Sequence, residues 1–600
     1  MGYQLIRAGS LTLEYSEGKL RYIRLGNTEL IRGIYFAVRN SEWGTLPLQV
    51  YQERLIKLKN GFVLNFRATS TEDSEAVVHW ECAIQGDEDN RITFSLAGTF
   101  AREYASNRAG FCLLHPLKHL MGQPFEVKSP QGLLYNGSFP HLIAPHRPAT
   151  DISSLTWQTT NGIDCRVRFE GEAFEMEDQR NWTDASFKTY CTPLKNNWPK
   201  TYRKGDTVGQ RVVFEVLSSP TPDTPDAPVM HSVAYDTRIH FAWPAIGSRI
   251  PTGNLNGLTP EKLTALPLST LRADLAWGGE AWEQSLRAVI DYARKCRKPL
   301  HLVLHYVQGD LPLLVNTLRQ HCPDSALVAI SVVAKDRIAP DLELARQVHP
   351  LLRTHFPKVN IGVGTQYLFA QFNRNRPRAD AQADFVFFGN NPQVHAFDDQ
   401  SILETIEGQG ETVKSARAIA PQSPVYVSPI ALSAPFSPDK LPKGTTLRQT
   451  LTYDFAPDPR QGSPFAAGWM LGCLATLAMQ GASHLDFFET EGKRGLLIGQ
   501  TVTPSLALLS RLLTREPIRL FFTKSSNQLK FSCLGIETPG IRYLYVANHS
   551  PESIRLVADE AWVAIAGLTL ENGFYNFDRL DENRILRLLP YEIIEVQIVN

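Results

Sequence analysis

Short runs that alternate hydrophobic and polar residues fill about the first 220 positions. LTLEYSEGKLRYIRLGNTELIRGIYFAVR is broken by Glu-Gly and Gly-Asn turns, and VVHWECAIQ, ITFSLAGTF and QRVVFEVLS continue the pattern at sandwich-like spacing. No amphipathic helix of more than two turns stands out. The pattern predicts an all-β sandwich domain over residues 1–217. Pro-rich SSPTPDTPDAP follows, and residues 218–230 read as a linker.

After the linker the rhythm becomes strand, then helix, repeatedly. Eight strand candidates are RIHFAWP (238–244), TLRADLAW (270–277), PLHLVLHY (299–306), ALVAISVVA (326–334), NIGVGTQYLF (360–369), DFVFFGNNP (384–392), PVYVSPIAL (424–432) and HLDFFET (484–490). Amphipathic stretches such as GEAWEQSLRAVIDYARKC and LPLLVNTLRQHC separate them. Eight such units predict a (β/α)8 TIM-type barrel over residues 231–514. A doubly wound sheet also alternates, but no Gly-rich phosphate turn follows any strand. From about Arg515 strands return, predicting a small C-terminal β domain over 515–600. The fold class is therefore multidomain α/β, a central barrel flanked by two β domains.

Composition narrows the partners. Lys plus Arg and Asp plus Glu are each 61, so there is no electrostatic footprint for nucleic acid or anionic lipid. The apolar segment Ala466–Ala482 carries Trp, Gly, Cys, Thr and Gln and reads as a buried helix rather than a membrane span. The amino terminus lacks the basic region and apolar run of a signal peptide. Eight scattered cysteines without a C-x-x-C pair suit reduced thiols, and a cytoplasmic setting is expected.

In barrels, chemistry sits at the carboxyl ends of the strands. Those ends offer Trp243, Asp274, His305, Gln366, Asn390, Asn391, His395 and Glu489. Glu489 follows two large aromatics in FFET, where desolvation would raise its pKa towards that of a useful general base. Glu491 has the same parity, so the choice between the two stays open. Asp274 shares a face with Arg272, and a buried Arg–Asp pair is as good a reading as catalysis. His305 has a core-histidine reading, and Asn390–Pro392 a turn reading. No H-x-H, H-E-x-x-H or G-x-S-x-G spacing appears, so neither metal nor cofactor is expected. A retaining glycosidase would want carboxylates at the ends of strands four and seven, and neither supplies Glu.

One stretch outside the barrel stands apart. FEMEDQRNWTDASFKTY (174–190) sets charges of both signs among aromatics without a Gly or Pro. It reads either as a salt-bridged junction or as a substrate-contacting segment using Arg180, Asn181 and Asp184. In DCRVRFEGEAFEMED the core parity switches between Phe169 and Phe174, which a bulge near Gly171 would repair, sending Glu175 and Glu177 out of the core.

NRAGFCLLHP (107–116), FEMEDQRNWTDASFKTYCTPL (174–194), FNRNRP (372–377), NPQVHAFDD (391–399) and FFETEGKRG (487–495) together resemble the D-apionate lactonase family. The resemblance implies hydrolysis of D-apionolactone to D-apionate in bacterial apiose catabolism, with a small sugar lactone as partner. It assigns no residue a role. On chemistry alone, Glu489 would be base or nucleophile and Asp274 its orienter. His305 or His395 would donate to the oxyanion or leaving alkoxide. Trp243, Gln366, Asn390 and Asn391 would hold the sugar. A glycoside hydrolase on apiose-containing sugars and a non-catalytic carbohydrate-binding barrel are the rival readings.

Overall fold

The computed structural model describes residues 3–196, 198–218, 230–253, 255, 257–377, 382–433, 456–568, 574–576 and 584–599. The chain forms two units, Met1–Arg180 with Ala185–Ala227, and Asn181–Asp184 with Pro228–Asn600. Most of the Pro-rich linker lies outside the described residues.

Alternation builds the first unit as two nine-stranded antiparallel sheets. Arg91–Phe100 shows the rule, every second side chain being buried. Phe36 and Phe111 from one sheet meet Trp80 and Phe94 from the other, with ring centroids 4.9–5.1 Å apart for the pairs Phe94–Phe111 and Phe36–Trp80. No α-helix occurs among its described residues.

The parity switch near Gly171 is not a bulge. Asp164–Glu170 belongs to one sheet and Phe174–Asp178 to the other, so the chain changes sheets and both strands still face one core. Phe169 and Phe174 stack across the turn, centroids 4.1 Å apart. Gly171 has φ +97, and a Cβ there would lie 2.1 Å from the Gly209 carbonyl oxygen. Glu175 does not leave the core either. It is fully buried and accepts from Tyr190 Oη (2.5 Å), the Leu194 amide (2.6 Å) and Arg147 (3.1 Å).

In the second unit, eight parallel strands close a barrel: Ala245–Arg249, Thr270–Leu275, Leu300–Tyr306, Leu327–Ala334, Asn360–Leu368, Phe385–Asn390, Val425–Ile430 and His484–Glu491. Ala245–Arg249 pairs with both Thr270–Leu275 and His484–Glu491, which completes the ring. Strand five can be glycine-rich because its neighbour fills the interior. A Cβ on Gly362 would lie 2.3 Å from the Phe385 ring, and one on Gly364 1.9 Å from the Phe387 carbonyl oxygen. Three of the described intervening helices begin on Asp caps, Asp310 accepting from the Leu313 amide and Asp341 from Leu344, both at 3.0 Å, and Asp398 from Ser401 at 3.1 Å.

RIHFAWP is not a barrel strand. His231–Ala242 pairs antiparallel with Arg519–Ser525 in the nine-stranded C-terminal sheet, and strand one follows it. Helix Pro464–Met479 is apolar on every side and almost wholly buried, touching helices Asp399–Ile419 and Pro504–Thr514 and the C-terminal strands. Among the described residues no helix is long and apolar enough to cross a membrane. All eight cysteines are free and buried.

Candidate active site

Period-two geometry sends Arg272, Asp274, His301 and His305 into the barrel, and the strand ends gather the charged ones. Asp274 is the hub. Its Oδ2 accepts from Arg249 Nε and Arg272 Nε, each at 3.0 Å. Its Oδ1 accepts from an Arg272 guanidinium nitrogen at 2.7 Å and lies 2.9 Å from His305 Nε2. Arg249 spans to strand eight, donating to Glu489 Oε1 at 2.8 Å, and Arg494 donates to the same oxygen at 3.1 Å. Strands one, two, three and eight are thereby tied into one buried network.

Electrostatics fix the proton positions. Burial alone would push the Asp274 carboxyl up, but Arg272, His305 and Arg249 outweigh it and hold it well below the usual carboxylate range. An ionised Asp274 only accepts, so His305 carries its proton on Nε2. Burial pulls His305 below the ordinary imidazole value, and Asp274 offsets only part of that. His305 is therefore neutral, its one N–H is committed, and Nδ1 is its basic atom.

Beneath this layer Asp486 lies 2.8 Å from His484 Nε2 and accepts a hydrogen bond from Ser428, which in turn accepts from Arg272 at 2.9 Å. Burial would raise Asp486, yet His484 and Ser428 bring it down to about 2. The expected buried Arg272–Asp274 pair is thus real and sits in a larger chain of charges.

The two glutamates of strand eight separate cleanly. Glu491 is spent on structure, accepting from the Thr259 amide (2.7 Å), Thr259 Oγ1 (3.0 Å) and Tyr292 Oη (2.8 Å). Glu489 has both its arginines on Oε1, and among the described residues nothing donates to Oε2. That oxygen is the one a water or substrate can engage.

Three strand ends hold polar side-chain atoms that find no partner among the described residues. They are both amide atoms of Asn390, Gln366 Oε1 and Trp277 Nε1, on residues at most 5% exposed. Buried groups of this kind need a water or ligand partner, and their chemistry suits hydroxyls. Trp277 follows strand two, its backbone bonded to the carbonyl of His305 (2.9 Å). Trp243, in contrast, precedes strand one and stands at the amino end of the barrel, opposite the expected site.

The stretch 174–190 is divided. Arg180 stays in the first unit, fully buried, bound to both oxygens of Asp178 (2.7 and 2.9 Å) and to the carbonyls of Pro140 (2.7 Å) and His141 (3.2 Å). Asn181–Asp184 belong to the second unit. There Asn181 accepts from Asn373 (3.0 Å), Thr183 Oγ1 donates to the Asn391 carbonyl (2.6 Å), and Asp184 Oδ2 lies 2.5 Å from His395 Nδ1. Trp182 stands edge-on to His395 at 6.3 Å, with the Arg374 guanidinium 5.2 Å from its ring centroid. Asn391 itself makes a turn, its Oδ1 accepting from the Gln393 amide at 3.2 Å.

Arg249, Arg494 and Trp277 are not among the sequence-read candidates. Arg494 lies within FFETEGKRG and Trp277 ends TLRADLAW, so each neighbours a residue that is. Arg249 has no signal, because AIGSR lacks the pattern of a strand. Among the described residues no three His, Cys, Asp or Glu side chains group to hold a metal ion.

Residues 2–219 match a family model described as D-apionate lactonase, N-terminal domain, and residues 253–516 one described as D-apionate lactonase, TIM barrel domain. The chain belongs to the D-apionate lactonase family. All five strings that carried the resemblance fall inside these two matches. A D-apionate lactonase of Brucella anthropi is 26% identical over 536 residues, covering 84% of each protein. Among solved structures, a bifunctional glucanase-xylanase from a metagenome library matches at TM-score 0.44 with 9% identity, over 62% of this chain and 99% of that one. A β-arabinopyranosidase matches at TM-score 0.34 with 12% identity, over 99% and 100%. Likenesses this distant say nothing about the chemistry.

Proposed function

We propose that this protein opens D-apionolactone by hydrolysis to D-apionate, a step in apiose catabolism. Family membership carries the reading, and the barrel's carboxyl end supplies suitable parts. Ester opening needs an attacking oxygen, a proton acceptor and stabilisation of the oxyanion. Glu489 Oε2 either takes the proton of an attacking water or attacks the carbonyl carbon itself. Arg249 and Arg494 fix its other oxygen, and Arg494, the more exposed of the two, stands beside it to stabilise the oxyanion. His305, held by Asp274, keeps the charged network that positions Glu489 in place. Asn390, Gln366 and Trp277 take the sugar hydroxyls. Glycoside hydrolysis has less support, since strands four and seven end in Ala334 and Ile430 without a carboxylate.

The test offers the purified protein D-apionolactone and, separately, an aryl glycoside, with spontaneous lactone hydrolysis subtracted. Acid release from the lactone alone is expected; chromophore release from the glycoside alone would overturn the reading. Trapping with hydroxylamine during turnover separates the two routes. A hydroxamate formed at Glu489 or on the product acyl group faster than hydroxylamine reacts with free lactone supports an acyl-enzyme, and its absence supports water attack.

A further inference from the structure

Resting on that reading, we infer that His395, oriented by Asp184, is the acid that protonates the leaving alkoxide. Among the described residues, two His–carboxylate pairs occur at the carboxyl end of the barrel, and they differ in kind. The His305–Asp274 pair is sealed, with side chains 1% and 0% exposed, and its N–H is committed inward. The His395–Asp184 pair has side chains 16% and 19% exposed and a separation of 2.5 Å between Nδ1 and Oδ2. An acid that gives up a proton each turnover must regain one from solvent, and only the second pair has that access. His395 follows strand six, five residues beyond Asn390.

Asp184 does not come from the barrel's own loops. It arrives on a four-residue insertion from 211 positions earlier, seated by the Asn181–Asn373 and Thr183–Asn391 bonds. Trp182 stands edge-on to the imidazole, and the Arg374 guanidinium lies over the indole. With Nδ1 turned to Asp184, proton transfer by this imidazole runs through Nε2. When the tetrahedral intermediate collapses, the bond from carbonyl carbon to ring oxygen breaks and its electron pair goes to that oxygen. The oxygen takes the Nε2 proton, and neutral His395 is recharged from water. Asp184 is a positioning residue in this step.

Variants His395→Ala and Asp184→Asn test the assignment, with thermal midpoints measured to confirm folding. His395→Ala should lower kcat about 100-fold or more while KM stays within about threefold. Added imidazole should restore part of the loss. Asp184→Asn keeps a hydrogen-bond acceptor, which a merely structural tie would tolerate, but loses the charge, and should lower kcat about tenfold or more. A kcat within threefold of the parent in either variant, a change in KM alone, or no recovery with imidazole would overturn the inference. A parent protein that opens no lactone sinks the function reading and this assignment with it. An active parent with unaffected variants sinks this assignment alone.

Discussion

Asp274 Oδ1 and His305 Nε2 lie 2.9 Å apart, and because the carboxylate is ionised the proton between them belongs to the histidine. Asp274→Asn would reverse that polarity, since an amide can donate to Nε2 and trap the other tautomer. It would also leave Arg272 buried without its carboxylate and take from Arg249 one of the two it binds. We expect kcat to fall about 10²–10⁴-fold. Unfolding free energy should drop by about 3–5 kcal/mol. Denaturant titration and steady-state kinetics read both, and a variant with parental turnover removes His305 from the mechanism.

Glu489 and Glu491 should fail in opposite ways. Glu489→Gln keeps the volume and loses the charge at the open oxygen, so kcat should fall at least about 100-fold with the fold intact. Glu491→Gln weakens the ties to Thr259 and Tyr292 and should lower the thermal midpoint, with kcat within a few-fold of the parent. If Glu491→Gln is the inactive one, the assignment of roles on strand eight is reversed.

Asn390→Ala removes two polar atoms that are buried without partners among the described residues. An unpaired buried polar group costs about 1–3 kcal/mol, so the variant should be no less stable than the parent after allowing for the small cavity. Its kcat/KM for the lactone should fall about 10-fold or more, because a hydroxyl of the substrate loses its partner. Unchanged kcat/KM would place Asn390 outside the substrate site.

Arg180 should matter for folding and not for chemistry. Arg180→Met takes the buried guanidinium from the Asp178 carboxylate, a loss of about 3–5 kcal/mol from the first unit. Kinetics at a temperature where the variant is folded should match the parent, and a large rise in KM there would restore the substrate-contact role.

Stability should decay on the acid side well before the carboxylates titrate. Burial drags His115, His301 and His549 from an ordinary 6.5 to about 3. The unfolded chain therefore takes up these protons as pH falls through 6.5, while the folded chain refuses them until about 3. Stability is full above 6.5 and is lost progressively between 6.5 and 3. Asp486 has the opposite chemistry, with a folded value near 2 against an ordinary 3.8, and its contribution is lost only below about 4. The slope of unfolding free energy against pH near 5 should thus report uptake of at least three protons. His301→Phe should remove about one, its ring fitting among Phe385, Phe387 and Tyr426. A slope unchanged by that substitution would show that His301 is charged when folded.

Seven barrel strands were legible to within two residues because buried parallel strands are unbroken apolar runs. The first was not. AIGSR offers two small residues, a serine and an arginine, while the preceding RIHFAWP looks like a strand and is one, in a different sheet. Asp274, His305 and Glu489 were legible because an ionisable side chain that closes an apolar run stands out against its neighbours. Arg249 and Arg494 were not, since an arginine in a short strand or turn reads as solvated surface. The split of 174–190 between two units was invisible because periodicity records which face is buried, never against what. The same limit turned a change of sheet at Gly171 into an expected bulge.

The placement of His231–Ala242 bears on how the protein is made. Its antiparallel partner Arg519–Ser525 is translated only after the entire barrel. At 5–20 residues per second the nascent strand waits roughly 15–55 s on the ribosome with its backbone unpaired. Such an edge invites association with other nascent chains. Cutting the gene after the barrel would make that wait permanent, so an expression fragment ending near 514 should aggregate unless residues 231–242 are removed as well.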